Sequence, residues 1–122
     1  METRDSLALL LDVAGSFASK HVHTHFVKFY MDGAPLPPEF TQCDLTAEGK
    51  PVKSRLNLTF DELLNYLLKY DARGMTCKIH VAGEGSVRRV LDVLEELRRR
   101  NPQGPRHELA HCNVMIYRDS RR

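Results

Sequence analysis

Three short apolar segments of this sequence each carry a side chain that could serve a metal ion. They are Lys28 in His25-Phe26-Val27-Lys28-Phe29-Tyr30-Met31-Asp32-Gly33, His80 in Thr76-Cys77-Lys78-Ile79-His80, and His111 in His107-Glu108-Leu109-Ala110-His111-Cys112. Single ligands taken from successive strand ends are how an α/β barrel builds a metal centre, and the chemistry within reach of such a set is hydrolysis by a metal-activated water. Neutral imidazoles suit zinc well, whereas a plain ammonium has donors and no lone pair. On residue type alone, Lys28 is as readily a solvated lysine or an ion-pair partner of Asp32 or Glu84 as a ligand.

Other chemistry-bearing residues read more simply. His107 fits a hydrogen-bonded structural histidine better than a ligand, and His21, His23 and His25 form at best an adventitious metal site. Gly83-Glu84-Gly85 looks like a phosphate-cradling loop at a helix start but lacks the Gly-x-Gly-x-x-Gly spacing and a following Lys-Ser/Thr. Arg98-Arg99-Arg100 reads as a solvated helix end, and Arg118, Arg121 and Arg122 as a frayed tail.

The elements that must position these residues follow from periodicity. Leu7, Leu10, Leu11, Ala14 and Phe17 recur at helix spacing and predict an amphipathic helix over 6–20. A strand over 25–32 puts Lys28, Tyr30 and Asp32 on one face and Val27, Phe29 and Met31 on the other. Residues 33–58 show no sustained period and carry four prolines with Pro51 among them, as expected of a long loop over the carboxyl edge of a sheet, with Asp32 and Gly33 at its hinge. Thr59 and Glu62 form a capping box ahead of a helix buried through Phe60, Leu63, Leu64, Leu67 and Leu68, with Gly74 as a left-handed stop. A strand over 75–81 then leads to a third helix, with Ser86 as its expected N-cap and Val87, Val90, Leu91, Leu94 and Leu97 as its buried stripe. On its outer face Glu84/Arg88, Glu95/Arg99 and Glu96/Arg100 stand at i,i+4 spacing. Asn101-Pro102 ends it before the last strand. Helical crossovers between strands imply a parallel sheet, so the fold class is α/β.

Length and composition limit the reading further. At 122 residues with 42% hydrophobic content, the chain is a single domain, 1–122, with a modest core. A net charge of +2, from 18 basic against 16 acidic residues, gives no argument for a nucleic-acid partner. Cys43, Cys77 and Cys112 include no Cys-x-x-Cys pair and cannot all pair within one chain, so a reduced, cytoplasmic setting is expected. The apolar run over 7–13 is too short for a membrane span, and no signal peptide or membrane partner is expected.

Three blocks, Val27 to Gly33, Ile79 to Asp92 and Arg106 to Cys112, together resemble the middle of the amidohydrolase superfamily, specifically the family 3 branch that includes N-substituted formamide deformylases. They occur in the family's order and at compatible separations, and span most of the chain after residue 25. The resemblance implies a metal-dependent (β/α) TIM barrel, of which this chain would supply about three parallel strands alternating with helices, the fourth to sixth of eight. It implies further that Lys28, once carboxylated, bridges two metal ions, and that His80 and His111 each give a ring nitrogen to the second. A carbamate offers oxygen ligands as a carboxylate does. The implied cofactor is a divalent metal, zinc by ligand type, in one or two ions, and the implied substrate is a small amide or formamide cleaved at its C–N bond.

The family's His-x-His pair of the first strand and Asp of the eighth have no counterpart here. His21-Val22-His23 has the spacing but abuts the Lys28 strand, three units too late. A barrel needs about 250 residues, so the chain is expected to be a partial barrel and inactive by itself. The alternative is a non-catalytic α/β remnant acting as a binding or structural module, with exposed sheet edges that self-associate. If the metal-site reading holds, Lys28, His80 and His111 converge on one side of the sheet.

Overall fold

Strand alternation places Val27 and Phe29, then Cys77, Ile79 and Val81, then Leu109 on one side of three strands, and all of them enter a single core. In the structure, a computed structural model describing residues 9–114 and 119–122, these strands are β1 (Phe26–Tyr30), β2 (Thr76–Val81) and β3 (Glu108–His111). They form a parallel sheet in the order β1-β2-β3. Lys28 is in register with Lys78 and Tyr30 with His80, and on the far side Lys78 aligns with Glu108 and His80 with Ala110. Helical residues 9–14, here α1, run into a 3-10 turn at Gly15–Phe17 ahead of β1. Helix α2 (Phe60–Asp71) joins β1 to β2, and α3 (Glu84–Arg100) joins β2 to β3.

Both crossover helices lie on the same face. The Thr59 hydroxyl accepts the Glu62 amide at 3.2 Å while the Glu62 carboxylate accepts the Thr59 amide at 2.9 Å, so the capping box starts α2 as its spacing predicts. Leu63, Leu64, Leu67 and Tyr70 from α2 and Val87, Val90, Val93 and Leu97 from α3 fill the core against the sheet. Val93 is buried while Leu91 and Leu94 are only partly so, which rotates the stripe of α3 slightly from the predicted one. Gly74 takes φ 69°, the left-handed conformation that returns the chain into β2.

Three expectations are corrected. Leu10 and Phe17 are 64% and 67% exposed, so the stripe of the first helix is not buried and only Leu11 of its leucines packs against the core; Leu7 lies outside the described residues. Gly83, not Ser86, is the N-cap of α3. The carboxyl-terminal residues are held rather than frayed. Asp119–Arg121 form a 3-10 turn, Arg122 bridges Asp92 and Glu95, and the buried Asp119 carboxylate pairs with Arg88 at 2.9 Å. Arg118 lies outside the described residues.

Residues 33–58 hold only a 3-10 turn, Lys53–Arg55, and an isolated bridge between Leu45 and Pro51. The loop is tied down at its far end and at its middle. Asn57 donates its amide to the Met31 carbonyl and its side chain to the Tyr30 carbonyl, and the Cys43 carbonyl accepts the amides of Gly85 and Ser86. Among the described residues no helix is long and apolar enough to cross a membrane.

Candidate functional site

The organising group at the carboxyl end of the sheet is Asp32. Alternation would carry it to the face of Lys28 and Tyr30, but β1 ends at Tyr30 and the Asp32 carboxylate turns into the start of α3, where it is fully buried. One oxygen, Oδ1, accepts the Ala82 amide at 2.9 Å. The other accepts the Gly83 and Cys43 amides, each at 2.9 Å, and the Ser86 hydroxyl at 2.7 Å. Hydrogen bonds to a charged acceptor contribute about 1.5–3 kcal/mol each, so four of them offset the cost of burying the carboxylate. The glycine-rich turn at Gly83 thus cradles an anion, as its composition suggests, but that anion is the chain's own side chain. Close packing explains the glycines: a Cβ on Gly83 would come within 2.1 Å of the Cys43 carbonyl oxygen, and one on Gly85 within 2.4 Å of that of Asp44. The sequence offers Asp32 as a loop hinge or an ion-pair partner of Lys28, not as this hub. An acidic residue closing an apolar strand, with unsatisfied helix-start amides fifty residues on, was the available signal.

His80 sits beside this hub on the helix-free face of the sheet, its side chain 13% exposed. Its Nε2 lies 2.6 Å from the Gly33 carbonyl oxygen and 3.6 Å from Asp32 Oδ1. A carbonyl can only accept, so Nε2 carries the proton and the lone pair of the neutral ring is on Nδ1. His111 reaches the same place by a break in the strand. It is in register with Val81, which faces the core, and a regular strand would send His111 there too. Instead His111 and Cys112 take φ 79° and 47°. Cys112 then packs against the core with its amide on the Val81 carbonyl at 2.9 Å, and the His111 ring lies edge-on to that of His80 with centroids 4.6 Å apart.

Lys28 shares the helix-free face but stands one row lower. It is aligned with Lys78, and its Nζ lies 5.1 Å from the centre of the Tyr30 ring, which in turn is 5.1 Å from that of His80. Neither Asp32 nor Glu84 takes it as an ion-pair partner, and on this face Lys78 pairs with Glu108 at 3.3 Å. The structure therefore brings His80 and His111 together and leaves the Lys28 ammonium against Tyr30. Among the described residues, no group of three or more His, Cys, Asp or Glu side chains could hold a metal ion. His21, His23 and His25 are exposed on the approach to β1. Burial raises the thiols of Cys43 to about 11 and Cys77 to about 12, and neither is a nucleophile at neutral pH.

The amino-terminal end of the sheet carries a second polar cluster with a different character. The buried Asp71 carboxylate, at the end of α2, receives both terminal nitrogens of Arg98 at 2.8 and 3.1 Å, His107 Nε2 at 2.8 Å and the Asn101 side-chain amide. Burial alone would raise this carboxyl, but the hydrogen bonds from Arg98, His107 and Asn101 outweigh it and hold it below its usual value. Arg98 also caps the carbonyls of Asn101 and Pro105, so the first arginine of the 98–100 run is structural rather than solvated. Of the predicted i,i+4 pairs, only Glu96–Arg100 forms, at 2.6 Å. Glu95 serves Arg122, and Arg88 turns to Asp119 and the Gly49 carbonyl.

Comparisons with protein-family models, with curated proteins and with solved structures found no match to this chain.

Proposed function

We propose that this chain forms three consecutive units of a metal-dependent amidohydrolase barrel, with His80 and His111 as imidazole ligands of a zinc-like divalent ion and Lys28 as an oxygen ligand once carboxylated. The observation that carries the reading is the left-handed pair His111 and Cys112. Non-glycine residues held there cost on the order of 1–3 kcal/mol each, and such strain concentrates where a side chain must be aimed. Here it takes a histidine off the core face and lays it against a second histidine at the carboxyl end of a parallel sheet.

The topology accommodates the same reading. A doubly wound sheet reverses its strand order and takes helices on both faces, whereas a barrel keeps consecutive strands adjacent with every helix outside. Order β1-β2-β3 with both helices on one face fits a stretch of such a barrel, and it fits one βαβαβ half of a doubly wound sheet equally well. Parallel sheets are covered on both faces, and the bare side of this one, with Phe26, Lys28, Tyr30, Lys78 and His80, would be the barrel interior.

Two imidazoles in ring contact fit two positions of a divalent ion's shell, with His80 offering Nδ1 while Nε2–H is held by Gly33. When bound, such an ion supplies an activated water and polarises the carbonyl of a small amide or formamide. Tyr30, beside His80, would wall the substrate on the β1 side.

One observation favours a second reading, a non-catalytic α/β module. Lys28 is aligned with Lys78 rather than His80, and among the described residues no third His, Cys, Asp or Glu joins the two histidines. Cobalt(II) absorption separates the two. Under the metal reading, cobalt gives a ligand-field spectrum that His80→Ala and His111→Ala each weaken or abolish. An identical spectrum in wild type and both variants, or none in wild type, rejects it.

A further inference from the structure

We infer that Asp32 is the positioning residue of the His80 site, acting through the Gly33 carbonyl; this rests on the reading of His80 as a metal ligand. The fully buried Asp32 carboxylate gathers the loop through the Cys43 amide, the end of β2 through the Ala82 and Gly83 amides, and the first turn of α3 through Ser86. With its side chain held at four points, Asp32 fixes the peptide that follows it.

That peptide ends in the Gly33 amide; the next one carries the Gly33 carbonyl, whose oxygen is 2.6 Å from His80 Nε2, and its Ala34 amide donates to Thr41 Oγ1 at 3.1 Å. Gly33 cannot relax independently. Its amide donates to the Thr41 carbonyl at 3.0 Å, and a Cβ on it would lie 1.9 Å from Thr41 Oγ1, so backbone and neighbour are already in contact. The carbonyl therefore stands at a set point over the end of β2 and selects one ring orientation and one tautomer of His80, with Nε2 donating and Nδ1 bearing the lone pair. Asp32 Oδ1, 3.6 Å from Nε2, adds electrostatic attraction to the same ring N–H. Imidazole ligands are commonly held this way, the nitrogen not on the metal donating to a carbonyl or carboxylate, and loss of such a partner lowers metal affinity about 10–100-fold.

A consequence is that the long loop and the site are coupled. The Cys43 amide bond to Asp32 joins the middle of residues 33–58 to the group that aims His80, so a ligand that pulls Cys43 away would loosen the histidine.

The test reads the His80 ring directly. Nitrogen-15 spectra of the metal-free protein at a pH where the ring is neutral should show wild-type His80 as a single Nε2–H tautomer. In Asp32→Asn the carboxamide cannot accept from all four donors, and the ring shifts should move toward the averaged values of an unconstrained imidazole, with cobalt affinity lower by about 10–100-fold. Leu67→Ala, a core truncation on α2, should leave the ring shifts unchanged, which separates positioning from general destabilisation. If Asp32→Asn does not fold, Ser86→Ala decides: it removes one donor, frees the carboxylate to shift, and should move the same resonances part of the way. Ring shifts unchanged in whichever of these two variants folds would overturn the inference. Wild-type protein that shows the fixed tautomer yet binds no cobalt would reject the metal reading while leaving the role of Asp32 in aiming the ring intact.

Discussion

His107 donates to Asp71 through Nε2 at 2.8 Å while its Nδ1 accepts the Cys77 amide at 3.0 Å, so the ring is locked in the neutral state between a carboxylate and a strand backbone. A second proton on Nδ1 would break the bond to β2. With the side chain 1% exposed, burial depresses its pKa from 6.5, and the attraction of Asp71 only partly opposes this.

The pH dependence follows from the sign of that shift. Because the folded pKa lies below the unfolded one, the stabilisation is present above about pH 6.5 and is lost as pH falls through the folded value. Asp71, also depressed, acts in the same sense at lower pH, below its ordinary value of 3.8. Urea denaturation at pH 7.5 and 5.5 should show lower stability at the acid value. His107→Gln keeps an acceptor and a donor but does not titrate, and should narrow the gap between the two pH values. An equal gap in the variant would mean that other groups carry it.

The buried pair of Arg88 and Asp119 gives a second expectation. Their side chains are 10% and 1% exposed, and Arg88 also donates to the Gly49 carbonyl, so the pair ties the carboxyl-terminal turn and the long loop to α3. Removing one partner strands a buried charge, and Arg88→Ala should cost about 3–5 kcal/mol. Replacing both by Met and Leu should recover much of that loss. A double variant no more stable than the single would show that the Gly49 contact, not the uncompensated charge, sets the cost.

These clusters mark where sequence reading stops. The strands, the two crossover helices, the capping box at Thr59 and the stop at Gly74 are local, set by periodicity, composition and one reciprocal pair of hydrogen bonds, and they were legible. Asp32 was not, because its four donors lie 11 to 54 residues away and only the folded chain assembles them. Arg98 looked like a solvated helix end for the same reason, since Asp71 is 27 residues distant. His80 and His111 could be named from their strand ends. Their contact could not, because strand parity alone sends His111 to the core, and the left-handed turn that reverses it has no glycine to announce it.

That turn yields a prediction that separates packing from function. His111→Gly removes a left-handed penalty of roughly 1–2 kcal/mol against a backbone entropy cost of roughly 0.5–1 kcal/mol. Stability should therefore be unchanged or rise by up to about 1.5 kcal/mol, while cobalt binding through His80 weakens. Thermal denaturation and the cobalt titration measure the two. A large loss of stability would mean that the His111 ring is a packing element, and the strain would need another explanation.

The last expectation concerns activity. A hydroxide-generating metal needs a nearly complete set of ligands to hold it and a base to take the proton. His80 and His111 supply two neutral donors, Lys28 contributes only as a carbamate, and its ammonium lies against Tyr30 rather than His80. Among the described residues no further His, Cys, Asp or Glu completes the set, and Asp32, the nearest carboxylate, is consumed by four hydrogen bonds. Affinity should be weak and general-base assistance, worth about 10²–10⁴-fold, absent. The purified chain, loaded with zinc and supplied with bicarbonate to permit carbamate formation, should therefore show no multiple turnover of simple N-formyl or N-acyl amines. Metal-dependent turnover that disappears in His80→Ala and His111→Ala would show that the chain supplies the remaining ligands itself, and the exposed His21, His23 and His25, just ahead of β1, would be the first to replace.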